Sequence, residues 1–138
     1  MKIITAILVA SISLLAGCNT NQQVLDTNGE TQLQKRSYQT RIFDTNDKKK
    51  VMRAVISTLQ DLGFVIEKSN YDLGSISGAK YDQLPTKITV TVREKGKDRT
   101  VVRANAQYHL SPIEDPKQYQ NFFSSLEKSL FLTAHAGE

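Results

Sequence analysis

The sequence contains few of the residues from which catalytic and metal sites are built. Among 138 residues there are one cysteine, Cys18, and two histidines, His109 and His135. A single cysteine cannot form a disulfide within the chain, and no His, Cys and Asp cluster has metal-site spacing. A phosphate-binding glycine loop is also absent from the sequence. We therefore predict a protein that is not an enzyme and that takes no cofactor or metal.

Long apolar runs are also scarce. The chain has one, from Ile3 to Ala16, directly after Met1-Lys2. This run is shorter than the roughly 20 apolar residues that a membrane span needs. A charged start, a short apolar middle and a small-residue end indicate a secretory signal peptide over residues 1–17. No second apolar run follows, so the sequence predicts no transmembrane helix.

The end of the apolar run reads Leu15-Ala16-Gly17-Cys18 and resembles the lipobox of bacterial lipoproteins. The resemblance implies transfer of lipid to the Cys18 thiol, cleavage before Cys18 and acylation of the new N-terminus. Several acyl chains anchor a protein stably, whereas one chain binds only marginally. Asn19 stands where an aspartate would retain an enteric lipoprotein in the inner membrane. By resemblance, the expected location is the outer membrane, with the domain in the periplasm, or the outer face of a single membrane.

The charge of the chain is mildly basic. Lys and Arg number 18 and Asp and Glu number 14, and removal of the signal peptide with Lys2 lowers the net charge from +4 to +3. This excess is too small to indicate nucleic-acid binding. It fits a domain close to anionic lipid or to an acidic protein partner.

The remaining chain divides into two parts by composition. Residues 18–36 are rich in Asn, Gln and Thr, and such a segment buries too little surface to offset its ordering entropy. We expect it to be a lipidated flexible tether. Residues 37–138 form the single predicted domain, which is long enough to bury a core.

The apolar pattern of this domain alternates between strand and helix periods. Period two predicts strands over residues 37–43, 64–68, 73–81, 86–95 and 99–108, and helical spacing predicts helices over residues 48–62 and from residue 116. Each strand has one apolar face and each helix one apolar stripe. The expected fold is α+β, a two-layer sandwich in which an antiparallel sheet of about five strands carries two helices on one face, in the order β-α-β-β-β-β-α.

A helix ending in Leu62-Gly63-Phe64-Val65-Ile66, followed by an acidic turn and Leu73-Gly74-Ser75-Ile76, resembles the helix-grip modules of the BamC lipoproteins of outer-membrane β-barrel assembly. BamC proteins have two such modules and this chain has one. The blocks at residues 38–44 and 59–64 also look like an uncharacterised outer-membrane lipoprotein family. These resemblances imply a helix-grip fold and an envelope setting.

The candidate binding surface is the sheet face that the helices leave uncovered. Its predicted polar residues are Gln39, Arg41, Arg93, Arg103, Asn105 and Gln107, together with Lys87, Thr89 and Thr91. Arginines bind carboxylates in a bidentate manner, including those of peptidoglycan or of an acidic protein. Phe43, Val65 and Val101, predicted on the same face, favour a protein partner. The alternative is an ordinary solvated sheet face.

Two functions fit this sequence. The first is a non-catalytic, lipid-anchored subunit or accessory of an envelope assembly, which acts through protein contacts. The second is a binding module for a small envelope ligand, a lipid or a peptidoglycan fragment, held between the final helix and the sheet.

Overall fold

The domain consists of one sheet with helices packed against it. The computed structural model describes residues 31–135, with side chains described as far as Phe131. Within this range the helices are α1 (Gln32–Gln39), α2 (Lys48–Asp61) and α3 (Pro116–His135). The strands are β1 (Thr40–Phe43), β2 (Val65–Asn70), β3 (Ser75–Tyr81), β4 (Pro85–Lys95), β5 (Arg99–Tyr108) and β6 (Ser111–Pro112). The predicted α+β class is confirmed.

The strands form a single antiparallel sheet in the order β1-β5-β4-β3-β2, with β6 paired to the end of β5. The central strands β4 and β5 pair along their length. Gly74, between β2 and β3, has a φ of 63°, and its carbonyl oxygen accepts a hydrogen bond from the Val92 amide at 2.7 Å. A Cβ at this position would lie 2.1 Å from the Val92 carbonyl oxygen, so the turn requires glycine.

Helices α2 and α3 cover one face of the sheet, as the apolar stripes predict. Phe123, Leu59 and Leu126 are fully buried at this interface. Val90 and Val102 reach it from the two central strands and are also fully buried. The core therefore lies entirely on one side of the sheet.

The chain before β1 differs from the prediction. Residues 32–36, expected in the tether, and residues 37–39, expected in a strand, form α1 instead. Thr31 and Gln34 make a capping box, because the Gln34 amide donates to Thr31 Oγ1 at 3.2 Å and the Thr31 amide donates to Gln34 Oε1 at 2.8 Å. This cap stabilises the start of α1, the helix that the sequence analysis did not predict, and β1 is correspondingly shorter than expected.

A distant ion pair holds α1 against the domain. Lys35 is buried, and its ammonium group donates to Glu114 Oε1 at 2.6 Å. A buried charge requires such a partner. Because Glu114 is 79 residues further along the chain, local composition could not reveal this contact.

Several predicted features lie outside the described residues. These are the signal peptide over 1–17, Cys18 with the tether as far as residue 30, and the last three residues of the predicted domain. Between residues 31 and 135, no helix has both the length and the apolar character of a membrane span.

Candidate functional site

The sheet face opposite the helices carries a polar surface, which we call the open face. Register places Thr89, Thr91 and Arg93 of β4 beside Asn105, Arg103 and Val101 of β5 on this side. These six side chains and Thr40 of β1 line a shallow concavity of about 650 Å³. Along β4 and β5, every second residue is therefore buried in the core, and the residues between them form the open face.

Each arginine of the open face has defined cross-strand neighbours. Arg103 lies directly opposite Thr40 on one side and Thr91 on the other. Arg93 lies opposite Val101, which is half-buried. Directly opposed residues on one face have Cβ atoms about 4.5–5.5 Å apart. The two threonines thus flank Arg103 on either side, and Arg103 itself is exposed.

The charges on the open face are predominantly positive. Lys87 of β4 and Lys68 of β2 are exposed on the same side as Arg93 and Arg103. Glu67 also faces this side, and the Tyr81 hydroxyl donates to its Oε1 at 2.6 Å. This hydrogen bond raises the pKa of Tyr81. The open face therefore presents arginine and lysine among hydroxyls and amides, a chemistry that suits carboxylates.

The structure places four of the six predicted surface residues on the open face. Arg93, Arg103, Asn105 and Gln107 lie there, and so do Lys87, Thr89 and Thr91. Val65 and Val101 are on the same side. Their role in binding stays a prediction.

Gln39 and Arg41 were predicted on the open face, and both predictions are wrong. Gln39 is the last residue of α1, and its Nε2 donates to the Tyr119 hydroxyl at 3.4 Å. Arg41 is paired with buried Val102, so it points to the helix side. Its guanidinium carbon lies 5.2 Å from the Phe123 ring centroid, and its Nε lies 3.8 Å from Glu127 Oε1.

Strand β1 turns towards the helices the face that was predicted to be open. Phe43 was also predicted on the open face, but it packs against the core. Thr40 and Ile42 occupy the open-face positions instead. Arg41 is paired with Val102 and Phe43 with Thr100, and both partners are fully buried on the helix side. The pairing with β5 therefore turns Arg41 and Phe43 towards the helices. The capping box at Thr31 and Gln34 is the sequence signal that could have located α1.

A second concavity lies between the first half of α3 and the sheet. It has a volume of about 290 Å³. Its walls are mainly apolar, with Leu62, Phe64, Ile88 and Phe122 among them, and Lys80, Asp82, Gln118 and Asn121 are polar residues along its lining. Lys80 Nζ lies 3.8 Å from an Asp82 carboxylate oxygen. We call this concavity the groove.

The Tyr119 hydroxyl group, beside the groove, joins α3 to β5 and to the segment that follows β6. It accepts from the Ala106 amide at 3.2 Å and donates to the Ile113 carbonyl oxygen at 2.7 Å. Its ring centroid lies 5.4 Å from that of Tyr38. The sequence predicted Tyr119 in the apolar stripe of the last helix, and the three hydrogen bonds of its hydroxyl group depend on the tertiary structure.

No group of three His, Cys, Asp or Glu side chains between residues 31 and 135 could hold a metal ion. His109 lies exposed in the turn after β5, with a φ of 54°.

No protein-family model matches this chain, and a search of the curated proteins finds no match.

Proposed function

We propose that this protein is a non-catalytic lipoprotein, anchored through acylated Cys18 in the outer membrane with its domain in the periplasm, and that it serves as a subunit or accessory of an envelope assembly. The observation that supports this proposal is the open face. Arg93 and Arg103 are exposed there beside Thr40, Thr89, Thr91 and Asn105, and no described helix covers them.

The chemistry of the open face favours an acidic protein surface as the partner. A guanidinium presents a rigid fork of donors that matches a carboxylate, and charge-assisted hydrogen bonds are about twice as strong as neutral ones. The neighbouring threonine hydroxyls and the Asn105 amide can satisfy polar groups at the same interface. Complementary charge also accelerates association and selects against wrong partners.

Charge reversal tests the open face directly. The full-length protein is expressed with its leader, extracted from membranes in detergent, and purified with its bound proteins. We expect a stoichiometric partner whose recovery falls at least about tenfold in the R93E/R103E variant, because the loss of a buried charge pair costs about 2–5 kcal/mol and 1.4 kcal/mol is tenfold.

A matched control variant has two other arginines, both on the helices, changed to glutamate. Arg36 of α1 and Arg53 of α2 are exposed and lie off the open face. The R36E/R53E variant should keep the partner. Equal recovery of the partner from both double variants would exclude the open face as its binding surface.

The anchor is tested separately. Mass spectrometry of the mature protein should show an N-terminal acylated cysteine at position 18, and Cys18→Ser should abolish this acylation. A mature protein without acyl groups would contradict the lipoprotein assignment.

The groove favours a second candidate function, a binding module for a small envelope ligand such as a lipid or a peptidoglycan fragment. Its volume of about 290 Å³ is at the lower limit of the roughly 300–1,000 Å³ typical of ligand sites. Apolar walls with a few polar groups are typical of such sites. Native mass spectrometry of the purified protein distinguishes the two functions, because a bound lipid or glycan without any protein partner supports this one.

A further inference from the structure

The sheet has two ends, and each exposes apolar side chains. At one end, which we call the proximal tip, Tyr81, Leu84, Tyr108 and Leu110 are exposed in and beside the turns that follow β3 and β5. At the other end, the distal tip, Tyr71 and Leu73 are exposed in the turn between β2 and β3. Contiguous exposed apolar patches mark sites of contact with proteins or membranes.

The residues of the proximal tip share one end of the sheet because two turns meet there. Thr86 is paired with Tyr108, and the His109 amide donates to the Pro85 carbonyl oxygen at 2.8 Å. This hydrogen bond ties the turn that contains Leu84 to the turn that contains Leu110. Leu110 is the most exposed large apolar side chain among the described residues, at 81%.

The chain enters the domain in the half of the sheet that ends at the proximal tip. Strand β1 ends opposite Thr100, at the start of β5, so α1, which precedes β1, lies towards the end of β5. The Lys35–Glu114 ion pair places α1 beside the segment that follows β6. Leu33, in the first turn of α1, is also highly exposed.

The length of chain before the structure favours the proximal tip. Thirteen peptide links join Cys18 to Thr31, and they span at most about 45 Å when fully extended. Strand β4 alone has 11 residues, which corresponds to roughly 37 Å between the two ends of the sheet. A distal contact with the membrane would therefore use most of that length to run back along the sheet, whereas a proximal contact uses little of it.

From this geometry we propose that the proximal tip rests in the interface of the lipid bilayer, with Leu84 and Leu110 in the acyl boundary and the tyrosines at headgroup level. Tyrosine is enriched at that depth. The inference rests on the proposed anchor at Cys18. The strands then point away from the membrane, and the open face points sideways, towards other proteins on the same membrane surface.

The absence of tryptophan from the chain allows a direct test. The acylated full-length protein, with a single tryptophan introduced as L110W, is reconstituted into phosphatidylethanolamine and phosphatidylglycerol vesicles that contain brominated acyl chains. We expect a blue shift and a loss of fluorescence relative to vesicles without bromine. Salt screens interactions between charges and not the burial of an apolar side chain, so the loss should be the same at low and high salt.

The matched control is L73W at the distal tip, where the replaced side chain is 68% exposed. Its fluorescence should not change with bromine. L84W provides a second probe of the proximal tip if L110W does not fold, and circular dichroism checks the fold of each variant.

Three other outcomes would each contradict the contact between the proximal tip and the bilayer. Protein that floats with the vesicles but shows no quenching at Leu110 or Leu84 excludes the tip contact and leaves the anchor intact. Quenching at Leu73 alone places the opposite end on the bilayer. Acylated protein that does not float with the vesicles removes the anchor and the tip contact together.

Discussion

The two faces of strands β4 and β5 differ although they are made by alternating residues of the same segments. On the covered face, Val90, Val92 and Val102 have no exposed surface. On the open face, Arg93 and Arg103 are exposed to solvent. One face of the sheet is therefore buried in the core, whereas the other keeps its side chains accessible, and we expect the first to matter more for stability and the second for the proposed binding. Substitutions can test how completely these roles are separated.

The largest effect is expected at the centre of the covered face. Phe123 is fully buried between α3 and the sheet. Phe123→Ala removes its contacts and leaves a cavity, so we expect a loss of about 3–5 kcal/mol in the free energy of unfolding. Urea denaturation measures this loss, and a change below about 1 kcal/mol would contradict the assigned core.

A sharper comparison uses two adjacent valines on opposite faces of β5. Val102 is fully buried, and Val101 is half-buried on the open face. Val102→Ala should cost about 2–3 kcal/mol, from two buried methyl groups and a cavity. Val101→Ala should cost less than about 1 kcal/mol. Equal midpoints in urea would show that the open face is covered in solution.

The hydroxyl group of Tyr119 is expected to have a smaller effect. Tyr119→Phe keeps the buried ring but leaves the Ala106 amide and the Ile113 carbonyl oxygen without this partner. An unpaired buried group costs about 1–3 kcal/mol. Thermal unfolding tests the stability, and hydrogen exchange should accelerate at Ala106. Unchanged exchange there would contradict the role assigned to this hydroxyl.

The smallest effect on stability is expected on the open face. Arg103→Thr places a strand-forming residue between Thr40 and Thr91, so the free energy of unfolding should stay within about 0.5 kcal/mol of the unmodified protein. The same variant should bind the proposed acidic partner more weakly. A large loss of stability would show that Arg103 is structural rather than available for binding.

The central strands and the main helices could be predicted because their patterns are local. The stripe that contains Val51, Val55 and Leu59 predicts α2, and the alternation through Val90 and Val92 predicts β4. The same alternation correctly assigned Arg93 and Arg103 to the uncovered side. The two faces of β1 were assigned the wrong way round, because the pairing of this short strand with β5, about 60 residues later, decides which of its faces meets the helices.

Local periodicity in this chain determines which residues of β4, β5, α2 and α3 are buried. Apolar side chains that recur every 2 residues in a strand, or every 3.6 residues in a helix, all lie on one side of that element, so only that side is buried. The tertiary structure alone decides the positions of Lys35, Arg41 and Tyr119. Their partners, Glu114, Phe123 and Ala106, are brought to them by the pairing of β1 with β5 and by the packing of α3. A polar side chain near the core is oriented by the groups that satisfy its hydrogen bonds and charge, and those groups are distant in sequence.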